Sequence, residues 1–125
     1  MTTAIDGPAQ APEHCHCKLA LEGRGRLTVV GPWRHEVRSP RSVGGANTQT
    51  AHVQLPAGLD QHGERARAAG AVTDQQPEEQ FCGDRTYRAI DPEGHLWSSA
   101  QRVAHVSRAE AERALGRPIR SGPWG

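Results

Sequence analysis

The run His14-Cys15-His16-Cys17 puts four soft ligand types side by side, the residues a zinc-like ion would take. In an extended chain successive side chains point to opposite faces. His14 and His16 would share one face and Cys15 and Cys17 the other, so the four cannot close on one ion. The usual spacer of two or more residues between zinc cysteines is also missing. They read as strand residues with small thiols, while two of them with Cys82 or His35 would make an incidental site. Cys82 stands beside Asp84 and Arg85, one acid and one base, so the local field does not decide whether its thiol is activated. Arg85 and Arg88 carry the charge to hold an anion, against a solvated charge or a pairing with Asp84. Glu78-Glu79 reads as a pair of solvated loop acids. No Ser-His-Asp signature, phosphate-binding glycine loop or paired carboxylates stand out.

The elements that must position these residues follow from length, composition and pattern. A chain of 125 residues suits one domain. Its 15 Lys+Arg against 14 Asp+Glu, spread along the chain and nearly all arginine (Lys18 is the exception), argue against nucleic acid. No apolar run is long enough for a membrane helix, and Met1 to Gln10 has no charged-then-apolar leader. With three cysteines, an odd number and no disulfide framework, the expected location is cytoplasmic. Hydrophobic residues are only 35%, with five aromatics (Trp33, Phe81, Tyr87, Trp97, Trp124), so the core is thin. A partner subunit is expected to add burial, and part of the chain to be disordered.

Residues 1–13 read as a flexible tail or a frayed first strand. His14 to Leu21 and Arg26 to Gly31 read as strands around the turn Glu22-Gly23-Arg24-Gly25. A long, basic loop then runs from Gly31 to Asn47. Thr48 to Leu55 is an expected strand, Leu59 to Ala69 a helix stopped by Gly70, and Ala71 to Asp74 a short strand before a polar loop, Gln75 to Gln80. Thr86 to Ile90 and His95 to Gln101 flank Asp91-Pro92-Glu93-Gly94, where Pro92 presets φ and Gly94 takes positive φ. Tyr87 and Trp97 on these strands are expected to pack against the helix. Ser107-Arg108-Ala109-Glu110 is a capping box opening a helix to Leu115, closed by Gly116; 117–125 is a tail.

That order, strand, helix, strand, strand, strand, resembles a βαβββ module of the glyoxalase/bleomycin-resistance (vicinal oxygen chelate) superfamily. Three stretches carry the resemblance: Ser39-Pro40-Arg41-Ser42-Val43-Gly44-Gly45-Ala46-Asn47-Thr48-Gln49, Glu64-Arg65-Ala66-Arg67-Ala68-Ala69-Gly70-Ala71, and above all Gly83-Asp84-Arg85-Thr86-Tyr87-Arg88-Ala89-Ile90-Asp91-Pro92-Glu93-Gly94-His95-Leu96-Trp97. The last is similar to the superfamily's final hairpin. The resemblance implies an α+β fold, a concave mixed sheet with helices on its outer face. A single domain over 14–116 would comprise a remnant of a first module (14–47), a second module (48–106) and a terminal helix (107–116). The first module looks cut short, with only its last two strands present, as a divergent short form, a mis-started gene or a fragment would show.

Metal-dependent members resemble one another in holding a divalent ion with His and Glu at the start and end of each module. Carried over, those positions fall at about Thr50 and at Ser98, neither a normal ligand. His52 lies two residues along on the same face. No glutamate lies on Arg26 to Val30. The reading is therefore a protein without metal or other cofactor that binds a small organic molecule in the concave sheet, as a homodimer. Its candidate lining residues are Thr50, His52, Arg88 and Ser98. The alternatives are a metal-dependent lyase or dioxygenase using His52 and the N-terminal His/Cys cluster, and a truncated remnant without a ligand.

Overall fold

The hairpin chemistry of Asp91-Pro92-Glu93-Gly94 and the stop at Gly70 set the order of the larger sheet. The computed structural model describes residues 2–6, 16–21, 25–120 and 122. Its strands are β1 (Thr2–Asp6), β2 (His16–Leu21), β3 (Gly25–Val30), β4 (Ala51–Leu55), β5 (Val72–Glu79), β6 (Asp84–Ile90) and β7 (Leu96–Arg102). Helix α1 (Leu59–Ala68) follows β4, helix α2 (Arg108–Leu115) follows β7, and a 3-10 turn spans Pro40–Val43. The larger sheet has the order β4-β7-β6-β5, with β4 parallel to β7 and the other pairs antiparallel. A parallel neighbour needs a crossover, and α1 lies on the crossing path from β4 to β5. This is the expected βαβββ module, and the fold class is α+β.

The core lies between α1 and this sheet. Leu55, Leu59, Tyr87 and Ala89 are buried together, with Val53 and Ala71 packed at the margin. The alternation of β6 puts Tyr87 and Ala89 on the helix side, so Thr86 and Arg88 fall on the other. Gly63, which weakens α1 by about 1 kcal/mol relative to alanine, has a packing reason: a Cβ there would lie 3.7 Å from the Tyr87 ring. Gly58 at the N-cap of α1 has no side-chain cap. The missing acceptor comes from the sheet, where Gln101 Oε1 accepts from Leu59 N at 3.0 Å. The capping box at Ser107 and Glu110 forms as the sequence dictates, and Gly116 ends α2 at φ 71°.

One open expectation is resolved and two are corrected. Of the two readings of 1–13, a tail or a frayed first strand, the strand holds at Thr2–Asp6: β1 runs antiparallel to β2 with Thr2 opposite Ala20 and Asp6 opposite His16. A five-residue strand has little stability alone and forms because β2 supplies a partner edge. The N-terminal part thus holds a three-stranded sheet, β1-β2-β3, where two strands were expected. The loop expected over Gln75 to Gln80 is largely strand: β5 runs on to Glu79, with Glu78 opposite Thr86 and Glu79 opposite Arg85. Register shifts between Thr73 and Gln75 and between Gln75 and Glu78 absorb the polar sequence, and Pro77 is tolerated because β5 is an edge strand. Of the His/Cys cluster, His14 and Cys15 lie outside the described residues, as do the side chains of His16 and Cys17 in β2.

Candidate functional site

The register of the larger sheet brings three of the four candidate residues into one row. His52 on β4 is opposite Ser98 on β7, and Ser98 is opposite Arg88 on β6. All three fall on the face turned away from α1, since the alternating residues Val53, Tyr87 and Ala89 belong to the helix-side core. His52 Nε2 is 3.1 Å from Gln54 Oε1, two residues along the same face. Arg88 pairs with Asp74 at 3.2 Å, both partly exposed. The Ser98 hydroxyl, small and half-buried between them, makes no hydrogen bond among the described residues. Thr50 precedes β4 and, by the same register, lies one row away, beside Leu96.

Thr50 is where this face meets a cavity. A groove of about 720 Å³ opens between β3 and the start of β4 and β7. One wall is Leu27, Thr28, Val29 and Val30 of β3; the other is Gln49, Thr50, Ala51, His95, Leu96 and Trp97. Pro32, Val37, Arg38 and Ser42 of the long loop close one end. His52, Arg88 and Ser98 are not among its lining residues; they begin one row beyond Thr50 and Leu96. The β3 side chains are solvent-facing: Leu27 is 42%, Val29 47% and Val30 48% exposed.

The hairpin turn holds this end of the groove rigid. Asp91 Oδ1 accepts from Glu93 N and His95 N, at 2.9 and 3.0 Å, and Oδ2 accepts from Trp97 Nε1 at 2.9 Å. The Trp97 indole is thereby tied to the turn at the groove wall. Asn47 bridges the same turn, donating to Gly94 O and accepting from Leu96 N. Gly94 sits so close to the loop that a Cβ would lie 3.0 Å from Arg41 N. Tyr87, the other aromatic, does pack under α1, with its hydroxyl 2.6 Å from His62 Nδ1. Burial, helped by the positive charge of Arg65, lowers the His62 pKa below its ordinary value.

The other charged candidates are engaged in structure. Arg85 pairs with Asp60 of α1 rather than with Asp84, and Asp84 pairs with Arg102. Glu78 joins a polar network with Gln75, Gln80 and Thr86 across β5 and β6. Among the described residues no three His, Cys, Asp or Glu side chains gather as a metal would need. Among the described residues the positions where the superfamily's divalent ion would sit do not offer its usual donors, because the row beside His52 holds a serine and β3 holds no acid. What sequence reasoning missed is the groove wall on β3 and the anchoring of Trp97. The Asp-Pro-Glu-Gly turn and Asn47 were visible; their convergence on one cavity was not, because it depends on the 3-10 turn docking against the hairpin.

No family model matches the chain. An uncharacterized protein of Mycobacterium tuberculosis strain H37Rv is 36% identical over 77 residues, covering 62% of this chain and 44% of that one. Its Mycobacterium bovis counterpart is 36% identical over the same length, 49% of that protein. The chain thus spans about half the length of the curated relatives it matches. Among solved structures, a member of the glyoxalase/bleomycin resistance protein/dioxygenase superfamily from Sphaerobacter thermophilus superposes with a TM-score of 0.57 at 17% identity, over 79% of this chain and 77% of that one. TioX from Micromonospora sp. ML1 does so at 0.53 and 25% identity, over 84% and 81%.

Proposed function

We propose that this chain, which has the fold of the glyoxalase/bleomycin resistance/dioxygenase superfamily, binds a small organic molecule without the help of a metal ion. The observation that carries the proposal is the groove of about 720 Å³, a size suited to a small ligand, with largely apolar walls and a few polar groups at its ends. Leu27, Val29, Leu96 and Trp97 would take an apolar body, and Thr50 would mark the passage to the polar row. Metal independence rests on the donor set, in which His52 faces Ser98 rather than a carboxylate. A homodimer in the cytoplasm is part of the proposal, motivated by the exposed apolar wall of β3 and by the cysteine usage.

The test is a thermal-shift screen of small organic molecules on protein stripped with a chelator. Hits are expected to raise the melting temperature of the stripped protein and to be lost in Val29→Arg, which places a charge in the groove wall. A second reading, a metal-dependent lyase or dioxygenase, is favoured by one fact: His52 stands directly opposite Ser98 on parallel strands, where a ligand pair would sit. Stoichiometric nickel, zinc or iron in the purified protein, lost in His52→Ala, would replace the first reading with the second.

A further inference from the structure

Thr50 and Leu96 of the groove share a sheet face with the polar row and precede it along the strands. Leu96, at the groove, is two residues before Ser98, a step of roughly 7 Å along a strand. A molecule whose apolar body lies against Leu96 and the β3 wall would reach the row with its far end. At the row the arrangement is asymmetric: a short side chain, Ser98, lies between two long ones, each roughly 5 Å away across the sheet. The short residue leaves a hollow, flanked by the His52 ring and the Arg88 guanidinium.

We propose that this hollow receives an oxyanion, so that the ligand is an apolar molecule ending in a carboxylate or phosphate. The inference rests on the groove as the binding site and adds the chemical class of what it binds. Charge decides the class. Arg88 approaches Asp74 with its Nε at 3.2 Å, and both groups are partly exposed. An exposed pair of this kind is weak, on the order of 0–1 kcal/mol, and yields to a better-placed oxyanion on the terminal nitrogens. The Ser98 hydroxyl has no protein partner among the described residues and supplies a donor at the floor. His52 Nε2 is held by Gln54 Oε1, which fixes its ring as the opposite wall. Two acids line this end of the groove: both oxygens of Asp91 are occupied by Glu93 N, His95 N and Trp97 Nε1, and Glu93 is an exposed turn residue facing water.

Calorimetric titration with four probes of one shape tests this: 1-naphthoate, 1-naphthyl phosphate, the neutral 1-naphthamide and the cationic 1-naphthylmethylammonium. Both anions should bind about tenfold or more tightly than the amide, as a charge-assisted hydrogen bond implies. Whichever anion binds more tightly names the preferred head group. Arg88→Gln should bring the anions down to the amide and leave the amide itself unchanged. Ser98→Asp should reverse the order in favour of the cation, and it keeps the test open if the first variant folds poorly. Equal binding of amide and anions by the native protein would overturn the inference while leaving the groove intact as a site. Binding of none of the four would also overturn it, and the groove would then stand or fall on its own ligand screen and the Val29→Arg variant.

Discussion

A buried helix start cannot leave its first amide without an acceptor, and at Leu59 that acceptor comes from another element. Gly58 offers no side chain, and Gln101 on β7 accepts instead, at 3.0 Å. Gln101→Ala should therefore cost about 1 kcal/mol, the usual size of a lost N-cap, measured as a drop in urea midpoint without a change in slope; no drop would mean that water replaces the amide oxygen. Gly83→Ala should be worse. Gly83 has φ 91°, and a Cβ there would meet Ala104 O at 2.3 Å, so the two segments would have to part and strain the bonds that Gly83 O accepts from Val103 N and Ala104 N. The variant is expected to be poorly soluble or molten, judged by loss of near-ultraviolet dichroism. Residues of this kind divide into legible and illegible ones. Ser107, Glu110 and Gly116 announce their helix locally and do what they announce. Gln101 reads as an ordinary strand residue, because its partner lies 42 positions away.

The same division holds for elements. The final hairpin and both helices were legible because their signals are short-range: a turn tetrapeptide, a capping box, a glycine stop. The strand β5 was not, since Asp74 to Glu79 has poor strand propensity and is held by pairing with β6. β1 was only half legible, as a tail or a frayed strand, because it exists through its register with β2. The docking of α1 onto β6 has its own chemical signature. His62 from the helix meets the Tyr87 hydroxyl at 2.6 Å, and burial lowers the imidazole's pKa below its unfolded value. The folded state therefore disfavours the protonated ring. The associated stability is present above the unfolded value, about 6.5, and is lost as pH falls through it toward the lower folded pKa, because the unfolded chain binds the proton first. The urea midpoint should fall between pH 7.5 and pH 5.5, and His62→Gln should flatten that fall. Glu110, lowered by its Ser107 contacts, acts in a more acidic window and would not mask it. A slope over this range that is the same in His62→Gln would show that the pair does not couple helix docking to protonation.

At the scale of the molecule, the thin core inferred from composition is matched by what the fold buries. Among the described residues the buried hydrophobics are Leu55, Leu59, Tyr87, Ala89, Ala100 and Ala111, three of them alanines. Meanwhile Leu27, Val29 and Val30 leave 42–48% of their surface in water on one edge strand of the smaller sheet. An exposed apolar edge strand is a surface on which chains associate unless something covers it. The sequence showed that burial was short and could not show where, because β3 reads as a good strand whether or not its faces are covered. The proposed second copy would account for both facts, since it would bury β3 and enclose the groove whose wall β3 forms. Sedimentation at micromolar concentration should give twice the 13.5 kDa chain mass. Leu27→Lys with Val29→Lys should give a monomer that has lost ligand binding along with association, because the same side chains serve the groove. A compact monomer from the native chain would remove the second copy from the account, and the groove would then have to hold its ligand with one wall open to solvent.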